Sequence, residues 1–244
     1  SYFAKLEVNG VEYKYELPKA LQNGFSLSTL NTGGSIIVNA ASNTPTGLLN
    51  TYLVAHQRGK LVLSKFQKEQ TNNYTFKIPT TALKDGVMHL TLFDTTGNPV
   101  NERLVFVNND NDKGFLEIKK AKEVLSNRKE QVINIITKDH NGNVLPSYIS
   151  MSIRDLNAFP YNRFDKNIKT YLLLNSDLRG TIESPGYFFD GEFTKKKQYL
   201  LDLVMLTNGW RRFTWRNLLF KKKKNLYNPE KGIYISGKTQ RLKK

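Results

Sequence analysis

The feature that most constrains the fold is a series of short apolar segments separated by turn residues. Residues 11–17 alternate between apolar and polar side chains, and the Asn9-Gly10 pair before them favours a type I′ hairpin turn. About eight such segments occur in the first 107 residues, with turn signals every eight to twelve residues. This spacing is typical of a β-sandwich. After the hairpin at 1–17, strands are predicted at residues 25–30, 35–41, 51–57, 60–66, 73–78, 87–93 and 103–107.

A polar run at residues 108–114 separates this unit from a second set of predicted strands. These strands lie at residues 115–119, 131–138 and 147–154. The sequence Asp-x-x-Gly-Asn occurs at 94–98 and again at 139–143, each time between two strands. A glycine in the left-handed position suits a hairpin connection of this kind. The repeat therefore predicts a second sandwich related to the first, with domains at 1–108 and 115–224 and a linker at 109–114.

One long segment, residues 199–219, is predicted to be helical and carries both tryptophans, Trp210 and Trp215. Its apolar residues lie on almost every side, so we expect the helix to be packed against a sheet. The strand pattern lapses from about residue 157, and residues 157–220 are predicted to be a helical insertion docked on the second sandwich. The predicted fold class is all-β, with two tandem immunoglobulin-like or macroglobulin-like sandwiches.

The composition excludes several kinds of chemistry. Cysteine is absent, which rules out disulfides, zinc–cysteine sites and cysteine nucleophiles. No nucleophile elbow, phosphate-binding loop or dinucleotide fingerprint occurs. His56, His89 and His140 show no spacing typical of metal ligands. We therefore predict no enzymatic activity, no cofactor and no metal site.

The net charge of +16 is concentrated near one end of the sequence. Residues 221–244 contain nine Lys or Arg and one Glu. Such a run favours attraction to an anionic membrane surface or a solvated linker, and the sequence lacks the aromatic and glycine patterns of a nucleic-acid site. We expect residues 225–244 to form a basic tail and the start of a following domain.

Two stretches, residues 123–155 and 86–107, resemble the macroglobulin-like domains (MG2 type) of the α2-macroglobulin family. Both contain the strand, turn and strand arrangement described above. The sequence departs from the family pattern at Leu125, where an aromatic residue is expected. The resemblance implies β-sandwich domains. It does not imply covalent trapping of proteases, because the thioester of true α2-macroglobulins requires cysteine.

A third stretch, residues 200–219, is similar to a segment of large Gram-negative envelope proteins. In these proteins, macroglobulin-like domains precede a carboxypeptidase-regulatory-like domain and a TonB-dependent receptor plug and barrel. Residues 232–237 would be the entry to that regulatory-like domain. The resemblance implies a periplasmic location at the outer membrane and an interaction or spacer role, linked to TonB-dependent nutrient uptake. The implied partners are neighbouring domains of the same longer chain, an envelope protein or a polysaccharide.

The candidate interaction or domain-junction residues follow the helix. They are Trp210, Arg211, Arg212, Phe213 and Trp215. Aromatic rings and guanidinium groups together favour cation–π stacking and carboxylate pairing. Two alternatives stay open: a carbohydrate-binding or carbohydrate-processing envelope protein, and a module that binds anions or a membrane surface through the basic tail.

Overall fold

The computed structural model describes residues 2–109, 114–120, 130, 132–139, 141–210 and 212–220, without the side chains of Lys120 and Phe220. The predictions for the linker residues 110–113, for Arg211 and for the basic tail at 221–244 lie outside these residues. Residues Ser1–Arg212 form one compact unit and Phe213–Lys244 a second. In the second unit, residues Trp215–Phe220 form a short helix. The predicted domain boundary at 109–114 stays a prediction.

The described residues of the first unit form eleven antiparallel strands, and the all-β, sandwich-like fold predicted from the sequence is confirmed. The strands are β1 Phe3–Val8, β2 Val11–Glu16, β3 Phe25–Asn31, β4 Ser35–Ser42, β5 Tyr52–Gln57, β6 Lys60–Phe66, β7 Asn73–Pro79, β8 Gly86–Phe93, β9 Pro99–Val107, β10 Phe115–Lys120 and β11 Ile133–Lys138.

Two sheets face each other in the sandwich. One has the strand order β3-β4-β7 and the other β6-β5-β8-β9. Alternate residues of β4, β5, β8 and β9 point between the sheets and form a buried apolar core, as period-two alternation requires. The core residues on these strands are Ile36, Val38, Ala40, Leu53, Ala55, Met88, Leu90, Leu92, Val105 and Val107.

Strand β8 is buried at all eight of its positions. Its residues Met88, Leu90 and Leu92 face the sandwich core, so Val87, His89 and Thr91 belong to the opposite, outer face of the sheet. A strand with both faces buried needs a third layer. Residues 168–210 supply this layer, which we call the helical layer.

The helical layer contains four short elements and the turns between them. These are α1 Ile168–Thr170, a π-helical segment Tyr171–Asn175, a 3₁₀ segment Pro185–Phe189 and α2 Lys195–Thr207. Thr194 caps α2, because its hydroxyl accepts the backbone N–H of Lys197. Leu201 and Met205, four residues apart, are the buried apolar side chains of α2, whereas Leu203 and Leu206 are exposed.

The predicted docking of this helix on the second sandwich is wrong, because α2 packs against β9 of the first sandwich. Arg103 of β9 donates to both carboxylate oxygens of Asp202 on α2, at 2.7 and 2.8 Å. The side chain of Gln198 donates to the backbone oxygen of Asn31 at the end of β3. Burial of the apolar outer face of the four-stranded sheet favours this packing, although about ninety residues separate the sheet and the helix along the chain.

Where the second sandwich is predicted, the described residues form the β10–β11 hairpin, and the second sandwich stays a prediction. The strand predicted at residues 147–154 is wrong, since the structure forms no strand there. Tyr148, Ile149, Met151 and Ile153 of this segment are all exposed. An alternating pattern stabilises a strand only when one face has a surface to bury against, and no described residue provides that surface here.

The repeated Asp-x-x-Gly-Asn turn is confirmed in atomic detail. In both copies the Asp side chain accepts the backbone N–H of the residues two and four positions later, at 2.8–2.9 Å. Gly97 and Gly142 take the same left-handed conformation, with φ of 81° and 85°. The side-chain hydrogen bonds of Asp94 and Asp139 therefore fix the two turns in the same shape.

Candidate functional site

Two buried histidines meet on the outer face of the four-stranded sheet. His56 of β5 and His89 of β8 are directly opposite in the antiparallel register. The Nε2 atom of His56 lies 3.1 Å from Nδ1 of His89. The two side chains are 4% and 1% exposed, so the pair is sealed from solvent.

The hydrogen bonds around the pair order the protons along a chain. The backbone N–H of Gly59 donates to Nδ1 of His56, so the proton of the neutral His56 ring sits on Nε2 and is donated to His89. His89 accepts this hydrogen bond at Nδ1, so its own ring proton is on Nε2. This atom lies 3.7 Å from the carboxylate of Glu102 on β9. The hydrogen-bonded chain thus runs from a backbone amide through two imidazoles, and the half-exposed carboxylate of Glu102 lies just beyond hydrogen-bond distance of its end.

Trp210 covers this pair and is itself 6% exposed. Its ring is stacked on His89, with centroids 5.1 Å apart, and meets His56 edge-on at 5.4 Å. A β-bridge to Leu178 holds the backbone of Trp210, and Arg179 donates its N–H to the oxygen of Gly209 at 2.7 Å. The position of the indole is therefore fixed by both its backbone and its ring contacts.

A fully buried carboxylate lies beside this region. Asp177 is 0% exposed and forms ion pairs with two arginines, with its Oδ2 3.2 Å from Nε of Arg58 and its Oδ1 bonded to Nε of Arg212. Arg58 also donates to the backbone oxygen of Leu172. These contacts join the β5–β6 turn, the helical layer and the segment after α2. We call the three residues Asp177, Arg58 and Arg212 the arginine clamp.

The five sequence-predicted site residues fall into separate places. Trp210 is buried on the histidine pair, and Arg212 is half-exposed in the arginine clamp. Arg211 lies outside the described residues. Phe213 and Trp215 belong to the second unit, where their rings meet edge-to-face with centroids 5.2 Å apart. The carboxylate pairing expected of Arg212 is present, and a role of the five residues in binding a partner stays a prediction.

The spacing of His56 and His89 in the sequence does not indicate that their side chains meet. Each histidine lies in an apolar run, on the sheet face opposite the core residues. The register of β5 with β8 then places the two side chains next to each other. The facing nitrogens of the two rings are hydrogen-bonded to each other, so they do not point together at a shared metal position. Among the described residues, no group of three or more His, Asp or Glu side chains has the arrangement of a metal site.

Burial and, to a smaller extent, the neighbouring His89 together lower the pKa of His56 to about 4, with Glu102 opposing the shift. Above pH 6.5 the ring is neutral in both the folded and the unfolded chain. As the pH falls from 6.5 to 4, the His56 ring binds a proton in the unfolded chain but not in the folded chain. The free energy of unfolding therefore falls.

We expect His56 to reduce the free energy of unfolding by about 2.5 kcal/mol between pH 7 and pH 4.5, at 1.36 kcal/mol per pKa unit. Urea unfolding of the chain and of the His56→Gln variant at both pH values measures this loss. Between these pH values, the free energy of unfolding of the variant should fall by about 2.5 kcal/mol less than that of the wild type. An equal loss in both proteins would show that His56 titrates normally.

Comparisons with known proteins add little to this geometry. No protein-family model matches the chain, and no curated protein matches it. One similar solved structure is described as the crystal structure of wild type OgpA from Akkermansia muciniphila, with 14% identity and a TM-score of 0.27. The alignment covers 39% of this chain and 29% of that one. No helix in the described part of the chain has the length and hydropathy of a membrane span.

Proposed function

We propose that the chain is a non-enzymatic interaction and spacer module of a cell-envelope protein. The observation that carries this proposal is that two hairpins of the first unit, β1–β2 and β10–β11, each present an apolar face to solvent. We propose that neighbouring domains of the same longer chain cover these faces. The two-sheet sandwich, which lies between the hairpins in sequence, and the helical layer would together serve as a stiff body that holds the attached domains apart.

The β1–β2 hairpin has one charged and one apolar face. Lys5 and Glu12 form an ion pair of 2.6 Å on the charged face. The opposite face carries Leu6, Val8, Val11, Tyr13 and Tyr15, which are 44–58% exposed. An isolated two-stranded hairpin is at best marginally stable in water, and an apolar face of this kind marks a contact surface.

The β10–β11 hairpin repeats this arrangement. Leu116 and Ile118 of β10 lie on the same face as Ile133 and Ile135 of β11, and the first two are 53% and 59% exposed. Lys138 and Glu117 form an ion pair of 3.0 Å on the other face. Two hairpins with the same one-sided character support an interaction role better than a single exposed side chain would.

The periplasmic location, the outer-membrane parent protein and the link to TonB-dependent uptake are supported by the sequence resemblance of residues 200–219. Cell fractionation of the full-length parent protein tests them. The protein should enter the outer-membrane fraction, and added protease should cleave this region only after the outer membrane is permeabilised. Recovery in the cytosolic fraction would contradict the proposed location.

The double variant Leu6→Lys with Tyr13→Lys tests the hairpin contact, since these residues are directly opposite each other. In the isolated chain we expect the main unfolding transition to change by less than about 0.5 kcal/mol, because both side chains are already exposed. In the parent protein we expect faster proteolytic cleavage near β1–β2, because the apolar face can no longer dock.

Glu7→Gln, on the charged face of the same hairpin, is the matched control and should leave the cleavage rate unchanged. If the double variant of the parent protein is cleaved near β1–β2 at the wild-type rate, no domain docks on this face.

A carbohydrate ligand is the second candidate, favoured by Tyr13 and Tyr15, whose rings project from one exposed face. Aromatic rings in such a row offer apolar surface to the faces of sugar rings. Calorimetric titration with a panel of oligosaccharides separates the two candidates. Binding that is lost in Tyr13→Ala would favour the carbohydrate role, whereas no heat over the whole panel would remove it.

A further inference from the structure

An open groove of about 930 Å³ lies at the edge of the helical layer. It is lined by the β5–β6 turn with the start of β6, by residues 82–87, by Gly114 just before β10, and by residues 169–173. Its volume is in the range of pockets that hold small organic ligands. The groove belongs entirely to the first unit.

Basic side chains surround the groove. Arg58, Lys60, Lys84 and Lys169 all line it. Arg58 is paired with Asp177, and the ammonium of Lys169 lies 5.5 Å from the centre of the Phe189 ring. Among the described residues, no carboxylate lies within ion-pair distance of Lys60 or Lys84. The groove therefore has a positive potential that favours an anion.

Acidic residues do little to neutralise this charge. Asp85 is the one acid among the lining residues, and its carboxylate accepts the backbone N–H of Asn109 at 2.7 Å. The net charge of +16 on the whole chain adds to the attraction for anions at long range. An anionic group entering the groove would thus meet cations that have room for a partner.

The groove also has apolar walls. Leu61 of β6 is 60% exposed and Leu172 of the π-helical segment is 50% exposed, and both line it. Leu61 is opposite His56 in the register and so lies on the outer face of the sheet. The helical layer covers this face at β8 but leaves it open at β6. Exposed leucines beside unpaired lysines are the chemistry that recognises a molecule with one apolar and one negative part.

We propose that this groove binds an amphiphilic anion, in which a carboxylate, phosphate or sulfate group is attached to an apolar chain or ring. Lys60 and Lys84 would hold the anionic group, and Leu61 and Leu172 would contact the apolar part. The site is distinct from the hairpin faces and from the basic tail, so it stands or falls independently of the proposed function.

Isothermal titration calorimetry of the full chain with dodecanoate below its micelle concentration tests the proposal. We expect dodecanoate to bind at least tenfold more tightly than inorganic phosphate, which lacks the apolar part, or octyl glucoside, which lacks the charge. Equal affinity for octyl glucoside and dodecanoate would overturn the proposal, because the lysines would then have no role.

Two variants locate the site. Lys60→Gln with Lys84→Gln should weaken dodecanoate binding at least tenfold, and Leu61→Asp should abolish it. Both change exposed side chains, so circular dichroism should show the wild-type fold. Lys68→Gln with Lys77→Gln removes the same charge from exposed positions outside the groove and should bind like the wild type. Equal weakening in this control would overturn the proposal, since binding would depend on total charge alone.

Vesicle sedimentation distinguishes the source of the anion. If the natural ligand is a membrane lipid, the chain should sediment with phosphatidylglycerol vesicles, and Leu61→Asp should reduce the bound fraction severalfold. If it is a free amphiphile, dodecanoate should bind in the groove while Leu61→Asp leaves vesicle binding unchanged. Absence of dodecanoate binding together with unchanged vesicle binding in Leu61→Asp would reject the site for both sources.

Discussion

Trp210→Ala is expected to lower the free energy of unfolding by about 3–5 kcal/mol, the usual cost of truncating a buried tryptophan. The indole is 6% exposed and is in contact with both buried histidines. Its removal would leave a cavity above His56 and His89 and admit water to polar groups that are now sealed. Urea unfolding followed by circular dichroism measures the change.

Trp215→Ala is the matched control, because the chain contains two tryptophans and Trp215 lies in the second unit. We expect it to leave the main unfolding transition of the first unit unchanged. Trp210→Phe keeps an aromatic ring over His89 and should cost less than Trp210→Ala. A melting temperature of Trp210→Ala close to that of the wild type would mean that the indole is a surface residue.

The double variant Arg58→Met with Arg212→Met is expected to cost about 3–5 kcal/mol, since it leaves the charge of Asp177 buried without a cation. The carboxylate is 0% exposed, whereas the two arginine side chains are about 40% exposed. Removing the buried carboxylate of Asp177 should therefore lower the free energy of unfolding less than removing the two half-exposed guanidinium groups. For Asp177→Asn we expect about 1–2 kcal/mol, because both arginines can turn to water.

Thermal and urea unfolding of the two variants give the comparison. Arg163→Met is the control, since Arg163 is 64% exposed and lies 3.6 Å from Asp190 in a surface pair. Its cost should be below about 1 kcal/mol. A larger loss for Asp177→Asn than for the double arginine variant would contradict the account of a buried carboxylate held by two cations.

The strands of residues 3–107 could be predicted because their signals are local. Alternation in residues 11–17 gave β2, and the Asn9-Gly10 turn before it has the expected positive φ angles of 53° and 76°. The two Asp-x-x-Gly-Asn turns were likewise predictable from five residues each. In these segments the side chains that determine the structure are neighbours in the sequence.

Features that depend on distant contacts could not be predicted. The docking of α2 on β9 depends on Arg103 and Asp202, which are ninety-nine residues apart. The meeting of His56 and His89 depends on the register of two strands, and the burial of Asp177 depends on Arg58 and Arg212 coming from different segments. At residues 147–154 the local pattern was misleading, because alternation alone does not supply a partner strand.

The central claim is that the helical layer closes the outer face of the four-stranded sheet and belongs to the same cooperative unit. Native-state hydrogen exchange of the full chain tests it most directly, by comparing the amides of β8 with those of residues 201–205 in α2. We predict that both sets exchange with the same free energy of opening, because α2 packs on β9, the strand paired with β8, and the π-helical segment of the same layer contacts β8. Exchange of the α2 amides at a much lower free energy, with β8 still fully protected, would contradict the claim.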